Sequence, residues 1–196
     1  QESMVRTLTN AFETGRIAHA FMLTGVRGVG KTTTARILAR ALNYTGDGVD
    51  APSINLAHPG THCEAIMDGS HVDVIEMDAA SRTGIGDIRE IIENVRYAPA
   101  AARFKVYIID EVHMLSKAAF NGLLKTLEEP PAHVKFIFAT TEIRQVPVTV
   151  LSRCQRFDLR RLTPEDTSAL LDKVSAAEDI KLNDEVTALI ARAADG

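Results

Sequence analysis

The most constraining feature of this chain is the segment Gly25-Val-Arg-Gly-Val-Gly-Lys31-Thr32, which matches the pattern G-x-x-x-x-G-K-[ST]. A short apolar run, residues 20–24, comes directly before it, and a helix-like stretch, residues 31–43, follows it. In this strand–loop–helix context the glycines let backbone N–H groups converge on phosphate oxygens, and the helix dipole points at the anion. The segment therefore predicts a nucleoside triphosphate site rather than a chance glycine-rich turn.

Specific chemical roles follow for this segment. Lys31 is expected to place a positive charge on the β- and γ-phosphates, and the Thr32 hydroxyl to ligate the Mg²⁺ that neutralises the triphosphate. The sequence has no Asn/Thr-Lys-x-Asp element for guanine, so ATP is the expected nucleotide. The residues expected to hold the nucleotide are Gly25, Gly28, Val29, Gly30, Lys31, Thr32 and Thr33.

An acidic pair ends the apolar run 104–110, whose unbroken Val-Tyr-Ile-Ile stretch is typical of a parallel strand covered on both faces. Asp110 is expected to hold Mg²⁺, through a water, and Glu111 to orient or deprotonate the attacking water. A solvated pair at a strand end is the alternative. The nearby phosphate loop favours the catalytic interpretation.

Strand-like and helix-like segments alternate over residues 1–162, which predicts an α/β fold with a parallel five-stranded sheet flanked by helices. Ser116 is expected to cap its helix, with Leu115 and Phe120 as a hydrophobic staple. Strands are expected at 20–24, 72–77, 104–110, 134–140 and 155–159, and helices at 3–14, 31–43, 61–68, about 85–95 and 116–129.

The remaining residues, 163–196, carry no strand signal and are predicted to begin a separate helical lid domain. Thr163 and Asn183 are expected to cap its helices. Residues 44–70 read as a loop or insertion within the nucleotide-binding domain, 1–162. Because the chain starts at Gln1 without a Met and stops abruptly, we expect it to be a fragment.

Charge and composition limit the function further. The formal net charge of −4 argues against a broad basic DNA-binding surface, so any DNA contact is expected to be local or shared among subunits. No apolar run reaches membrane-spanning length, and no signal peptide precedes the first helix. Cys63 and Cys154 lie far apart and fit a reducing compartment. We expect a cytoplasmic protein without a membrane role.

Several further stretches carry a family resemblance: 78–84, 106–115, 123–130, 138–141 and 148–154. Together they closely resemble the gamma/tau subunit of the bacterial DNA polymerase III clamp loader, an AAA+ ATPase. The resemblance covers nearly the whole chain and is strongest over 15–40 and 71–162. Its Ser152-Arg153-Cys154 element is fairly specific to clamp-loader ATPases, whereas the phosphate loop is not.

The resemblance implies roles for particular residues. Arg153 matches the arginine finger, which reaches the ATP site of a neighbouring subunit, and Thr141 matches a polar sensor, with Thr140 as the alternative. An ordinary salt-bridge arginine and a threonine placed by strand propensity are the competing interpretations. Ser81, Arg82 and Thr83 match a helix start that faces the DNA backbone, and plain helix capping is the alternative.

The resemblance also implies an activity and partners. The expected function is an ATP-hydrolysing motor of the DNA polymerase III holoenzyme that loads the sliding clamp onto primed DNA. The expected partners are other clamp-loader subunits in a ring-like hetero-oligomer, the clamp and primed DNA. A chain without its neighbour is expected to hydrolyse ATP slowly. The family's second sensor arginine is expected beyond Gly196.

One departure from the family concerns zinc. Many gamma/tau subunits carry the cysteine pattern C-x8-C-x2-C-x2-C, and Cys63 matches its last position. The other three positions fall on Gly48, Ala57 and Gly60. The neighbouring His58 and His62 do not complete a tetrahedral set, so no zinc is expected.

Three other functions are alternatives for this sequence. A DExH-type helicase fits Asp110-Glu-Val-His113, but such enzymes need a second RecA-like domain. A non-catalytic scaffold would not need the intact Lys31, Thr32 and acidic pair. A different AAA+ machine, such as a branch-migration motor or a replication initiator, is disfavoured by the Ser-Arg-Cys element and by the Leu-Glu-Glu-Pro-Pro stretch.

Overall fold

The computed structural model describes residues 2–46, 48–56, 58–82 and 85–194. Its five strands all pair in parallel, in the order β2-β3-β4-β1-β5. The predicted α/β fold with a parallel five-stranded sheet is therefore confirmed. The strands are β1 (Ala20–Thr24), β2 (Val74–Asp78), β3 (Lys105–Asp110), β4 (Val134–Thr140) and β5 (Gln155–Asp158).

Eight α-helices and two 3-10 helices accompany these strands in the described residues. The 3-10 helices are Val112–Met114 and Ile143–Gln145. Nowhere in the described ranges is a helix both long and apolar enough to cross a membrane. The α-helices are α1 (Glu2–Glu13), α2 (Lys31–Leu42), α3 (Cys63–Met67), α4 (Ile85–Asn94), α5 (Lys117–Glu128), α6 (Val148–Leu151), α7 (Pro164–Ala177) and α8 (Asp184–Ala194).

Two hydrophobic cores cover the two faces of the sheet. On one face, α1 and α2 contribute residues such as Leu8 and Leu38, while α4 and α5 contribute Ile88 and Leu123 on the other. All seven residues of β4 are buried. The middle strands lack apolar alternation because side chains on both of their faces enter a core.

Local capping signals are confirmed in the structure. The Ser116 hydroxyl accepts a hydrogen bond from Ala119 N at 3.2 Å, and Leu115 and Phe120 are buried in the same core. The Thr163 hydroxyl accepts from Asp166 N at 3.1 Å, and Asn183 Oδ1 accepts from Val186 N at 2.8 Å. These capping side chains therefore determine where the three helices begin.

The bounds of β2 differ from the prediction. It was expected at 72–77, but it begins at Val74, because residues 71–74 form a turn in which Val74 N donates to His71 O. The Asp73 carboxylate, 1% exposed, accepts hydrogen bonds from the amides of Ala100, Ala101 and Ala102 at 2.7–2.8 Å. Asp73 thus fastens the loop before β3 instead of continuing a strand.

We expect Asp73→Asn to lower the free energy of unfolding at pH 7 by about 2–3 kcal/mol, since it removes a charged acceptor of several amides. Burial opposes ionisation of Asp73, but the three amides and His71 outweigh it and lower the pKa of the carboxyl. This stabilisation is present above the usual carboxyl pKa and disappears as pH falls through the lowered one. Urea unfolding at pH 7 and in acid measures both effects.

The exposed Asp50 provides the control, because its ion pair with Arg103 lies at the surface. Asp50→Asn should leave the unfolding free energy nearly unchanged at both pH values. Equal stability of Asp73→Asn and the unmodified protein at pH 7 would show that the three amides do not depend on the carboxylate.

The last two helices, α7 and α8, pack against each other. Leu170 and Val174 on α7 and Leu189 on α8 are at least half exposed. The division into a nucleotide-binding domain, 1–162, and the start of a lid domain, 163–196, stays a prediction.

Candidate functional site

The candidate site forms where three neighbouring parallel strands end. Because β4 lies between β3 and β1, the residues that follow these strands meet at one edge of the sheet. The segment after β1 is the glycine-rich loop, Glu111 follows β3, and Thr141 follows β4. Parallel pairing thus brings together residues that lie far apart in the sequence.

Two glycines are required by the shape of the loop. Gly30 has φ 90° and ψ 28°, a left-handed conformation that leads directly into α2. At Gly25, an added Cβ would lie 2.8 Å from both the backbone oxygen of Leu159 and Cγ1 of Val29. The loop can therefore pass over the end of β5 only without a side chain at Gly25.

Lys31 begins α2 and is held inside the loop. It is 6% exposed, and its Nζ donates to the backbone oxygens of Gly25 and Val26, each at 3.1 Å. These two contacts fix a buried positive charge beside the first turn of α2. The ammonium and the helix N-terminus together make this end of the loop attractive to an anion.

The two predicted magnesium ligands touch each other. The Thr32 hydroxyl donates to Oδ2 of Asp110, and Oδ1 of Asp110 accepts from Glu111 N at 2.9 Å. A hydroxyl and a carboxylate are the hard oxygen donors that Mg²⁺ prefers, and such an ion usually keeps several waters and phosphate oxygens as its other ligands. The chemistry of this donor set fits the ion.

Two adjoining cavities surround these residues, and both are bordered by Arg27 and Glu111. The first measures about 290 Å³ and the second about 560 Å³. The first is lined by Arg27, Gly28, Gly30, Lys31, Thr32, Thr33, Asp110 and Glu111. The second is lined by Val26, Arg27, Glu111, His113, Thr141 and Glu142.

These linings contain most of the residues predicted for the nucleotide, but not Gly25 and Val29. Gly25 acts through its carbonyl, and Val29 packs against the core of the α2 face. Arg27 and His113 were not predicted as site residues. Arg27 occupies a position at which the loop pattern accepts any residue, and the Asp-Glu-Val-His stretch suggested a helicase motif rather than a role for its histidine.

Glu111 has an unusual backbone and a well-held side chain. Its φ of 45° and ψ of 45° are left-handed, which costs a non-glycine residue on the order of 1 kcal/mol. Its Oε2 accepts from Thr141 N at 3.2 Å and from Thr141 Oγ1 at 2.9 Å. Thr140, fully buried, instead contacts His113 Nδ1 at 2.9 Å. Of the two candidate sensor threonines, Thr141 is therefore the one against Glu111.

Arg153 lies between α6 and β5 and borders neither cavity of its own chain. Its guanidinium donates to Thr149 O and to Oε1 of Glu128, both at 2.6 Å, and its side chain is one-third exposed. The adjacent Cys154 points into the core, where burial raises the pKa of its thiol to about 12.

Two of the residues predicted to face DNA, Ser81 and Arg82, lie before α4 and not within it. That helix begins at Ile85, while Ser81 and Arg82 precede it in a turn where the Ser81 hydroxyl donates to Asp78 O at 3.0 Å. Among the described residues, the hydroxyl is thus used by the turn. Thr83 lies outside the described residues.

The region predicted to have lost zinc is held by other contacts. Cys63 Sγ accepts from Arg40 Nε at 2.9 Å and from Gly60 N at 3.2 Å, and His62 Nδ1 lies 3.0 Å from His71 Nε2. Across the described residues, no group of three or more His, Cys, Asp or Glu side chains could hold a metal ion. Ala57 is outside that set, and the absence of zinc stays a prediction.

Comparison with known proteins identifies the family. The model of the family described as "DNA polymerase III, delta subunit" matches residues 1–163, which is more than half of the chain. This chain belongs to that family. Its relatives include the tau subunits of DNA polymerase III from Salmonella typhimurium and Bacillus subtilis, 50% and 48% identical over all 196 residues. The resemblance to gamma/tau subunits is thereby confirmed.

The matches cover nearly all of this chain but only part of each related protein. The chain spans 30% and 34% of the lengths of the two tau subunits. Among solved structures, the RuvB Holliday junction branch migration motor of Thermotoga maritima has a TM-score of 0.65 and 20% identity. That match covers 97% of this chain and 55% of the RuvB chain. At this identity it shows a shared fold and nothing finer.

Proposed function

We propose that this chain binds and hydrolyses ATP with Mg²⁺ as the motor part of a DNA polymerase III clamp loader. The observation that carries the ATPase proposal is the meeting of Lys31, Thr32, Asp110, Glu111 and Thr141 at one edge of the sheet. These five side chains supply a phosphate partner, two oxygen ligands for a metal, a base and a polar sensor.

Each of these groups has a step to perform. Lys31 and the loop amides bind the β- and γ-phosphates, and Thr32 and Asp110 hold Mg²⁺, which supplies charge neutralisation of the phosphates. Glu111 orients a water and accepts its proton, while Thr141 keeps the Glu111 carboxylate in place. The buried Lys31 and the restrained Glu111 need little rearrangement, so the site is largely organised in advance.

Arg153 acts on the site of a neighbouring subunit. It borders neither cavity of its own chain, and Glu128 holds its guanidinium at a partly exposed position. A guanidinium presented in this way can bind the transferring phosphoryl group of an adjacent subunit. Hydrolysis then depends on assembly, and each subunit of a ring completes its neighbour's site.

The clamp-loading role rests on the relatives. The tau subunits that match along the whole chain belong to DNA polymerase III by name, whereas the RuvB motor shares the fold at 20% identity. We assign residues 1–162 to the ATPase domain and 163–196 to the start of a lid. Ser81 and Arg82 are exposed and serve as local contacts to a phosphate backbone.

The proposal is tested by ATP hydrolysis in the full-length protein assembled with its partner subunits. The rate is measured with Mg²⁺, with and without sliding clamp and primed DNA. We expect hydrolysis to require Mg²⁺, and clamp and primed DNA together to raise the rate far more than either does alone.

A further inference from the structure

The carboxylate of Glu111 is held through one of its two oxygens. Oε2 accepts hydrogen bonds from the amide and the hydroxyl of Thr141, and Nδ1 of His113 lies 3.4 Å from the same oxygen. Oε1 takes part in none of these three contacts. The two oxygens therefore have different surroundings, because Thr141 and His113 both lie against Oε2.

The contacts of His113 determine which of its nitrogens carries the proton. Nδ1 lies 2.9 Å from Thr140 Oγ1, which also accepts from Glu142 N at 3.0 Å. If Nδ1 carried a lone pair, it would face the negative Oε2 at 3.4 Å, inside a site where the histidine side chain is 9% exposed. With a proton on Nδ1, the contacts to Thr140 and to Glu111 both become attractive. The geometry thus selects the Nδ1–H tautomer.

We propose that His113 is a positioning residue for Glu111. Its Nδ1–H donates to Thr140 Oγ1 and faces Oε2. His113 and Thr141 together hold Oε2 in place, so that this oxygen does not face the attacking water. Oε1 is then the oxygen that receives the proton of the attacking water. The position of Oε2 follows from the contacts alone, and the assignment of Oε1 as the base rests on the proposed ATPase function.

Two amide substitutions test the kinetic part in the assembled full-length protein. The amide nitrogen introduced by His113→Asn takes the place of Nδ1, whereas the one introduced by His113→Gln takes the place of Nε2. We expect His113→Gln to lower kcat by roughly 10- to 100-fold with KM for ATP changed less than about threefold, as for a misplaced catalytic group. His113→Asn should keep at least about ten times the kcat of His113→Gln.

Nitrogen NMR of histidine-labelled protein provides a readout without nucleotide. We expect His113 Nδ1 to give the signal of a protonated ring nitrogen, and Glu111→Gln to shift the ring towards the Nε2–H tautomer. An unprotonated Nδ1 in the unmodified protein, or equal kcat values for the two amide variants, would overturn the inference.

Glu111→Gln separates this inference from the proposed function. If that substitution leaves hydrolysis unchanged, Glu111 is not the base, and the proposed mechanism fails whatever His113 does. If Glu111→Gln abolishes hydrolysis while both His113 variants keep the native kcat, only the positioning role of His113 is wrong.

Discussion

Lys31→Met is expected to weaken ATP binding by at least about 30-fold. Lys31 is a buried ammonium at the N-terminus of α2, held by the carbonyls of Gly25 and Val26. Removing one partner of a buried charge pair costs about 2–5 kcal/mol, which corresponds to roughly 30- to 5,000-fold in affinity. The methionine keeps the apolar stem, so the change isolates the charge. Equilibrium titration of the purified full-length protein with ATP and Mg²⁺ measures it.

A second buried lysine in the same domain provides the matched control. Lys135 is 3% exposed, donates to Ile17 O at 3.3 Å, and lines neither cavity of the site. Burial lowers the pKa of Lys135 to about 8. Lys135 nevertheless lies outside the proposed nucleotide site. Lys135→Met should leave the ATP affinity unchanged. Native affinity in Lys31→Met would remove the basis for placing phosphates at this loop.

Arg153→Ala is expected to slow hydrolysis in the assembly by roughly 10³- to 10⁵-fold at each site that depends on it, which is the effect of an arginine finger. ATP affinity should change little, because Arg153 borders neither cavity of its own chain. Single-turnover hydrolysis in assemblies made entirely of variant subunits measures the rate. Arg156→Ala is the control, since Arg156 is also exposed and pairs with Asp158 in its own chain.

Mixed assemblies decide in which subunit Arg153 acts. Subunits carrying Arg153→Ala are combined with subunits carrying Lys31→Met, at an ATP concentration that fills the native site but leaves the weakened Lys31→Met site largely empty. The Arg153→Ala subunit keeps an intact phosphate loop. Where the neighbouring Lys31→Met subunit supplies its Arg153 to that site, the Arg153→Ala subunit should hydrolyse ATP at the normal rate. A loss of hydrolysis confined to the subunit that carries Arg153→Ala would contradict action on the neighbour.

The sequence was most informative where structure depends on adjacent residues. The loop around Lys31, the strand ending at Asp110 and the cap at Ser116 each depend on a few consecutive positions, and all lie where they were predicted. The contact between Thr32 and Asp110 could also be anticipated, because parallel strands end at the same edge of the sheet.

Other features depend on the order of the strands, which no local pattern contains. The contact of Thr141 with Glu111 and that of Thr140 with His113 require β4 to lie beside β3. The late start of β2 depends on Asp73 binding amides that lie far along the chain, before β3. The four-residue helix α6 is too short to show a helical period. The role proposed for Arg153 depends on a neighbouring subunit.

The most direct test of the central claim is the rate of ATP hydrolysis by the full-length protein assembled with its partner subunits. The rate is compared with no addition, with sliding clamp, with primed DNA, and with both. A clamp-loader motor predicts strong stimulation only when clamp and primed DNA are present together. Stimulation by DNA alone, indifferent to the clamp, would contradict the clamp-loading role and indicate another kind of DNA-dependent motor.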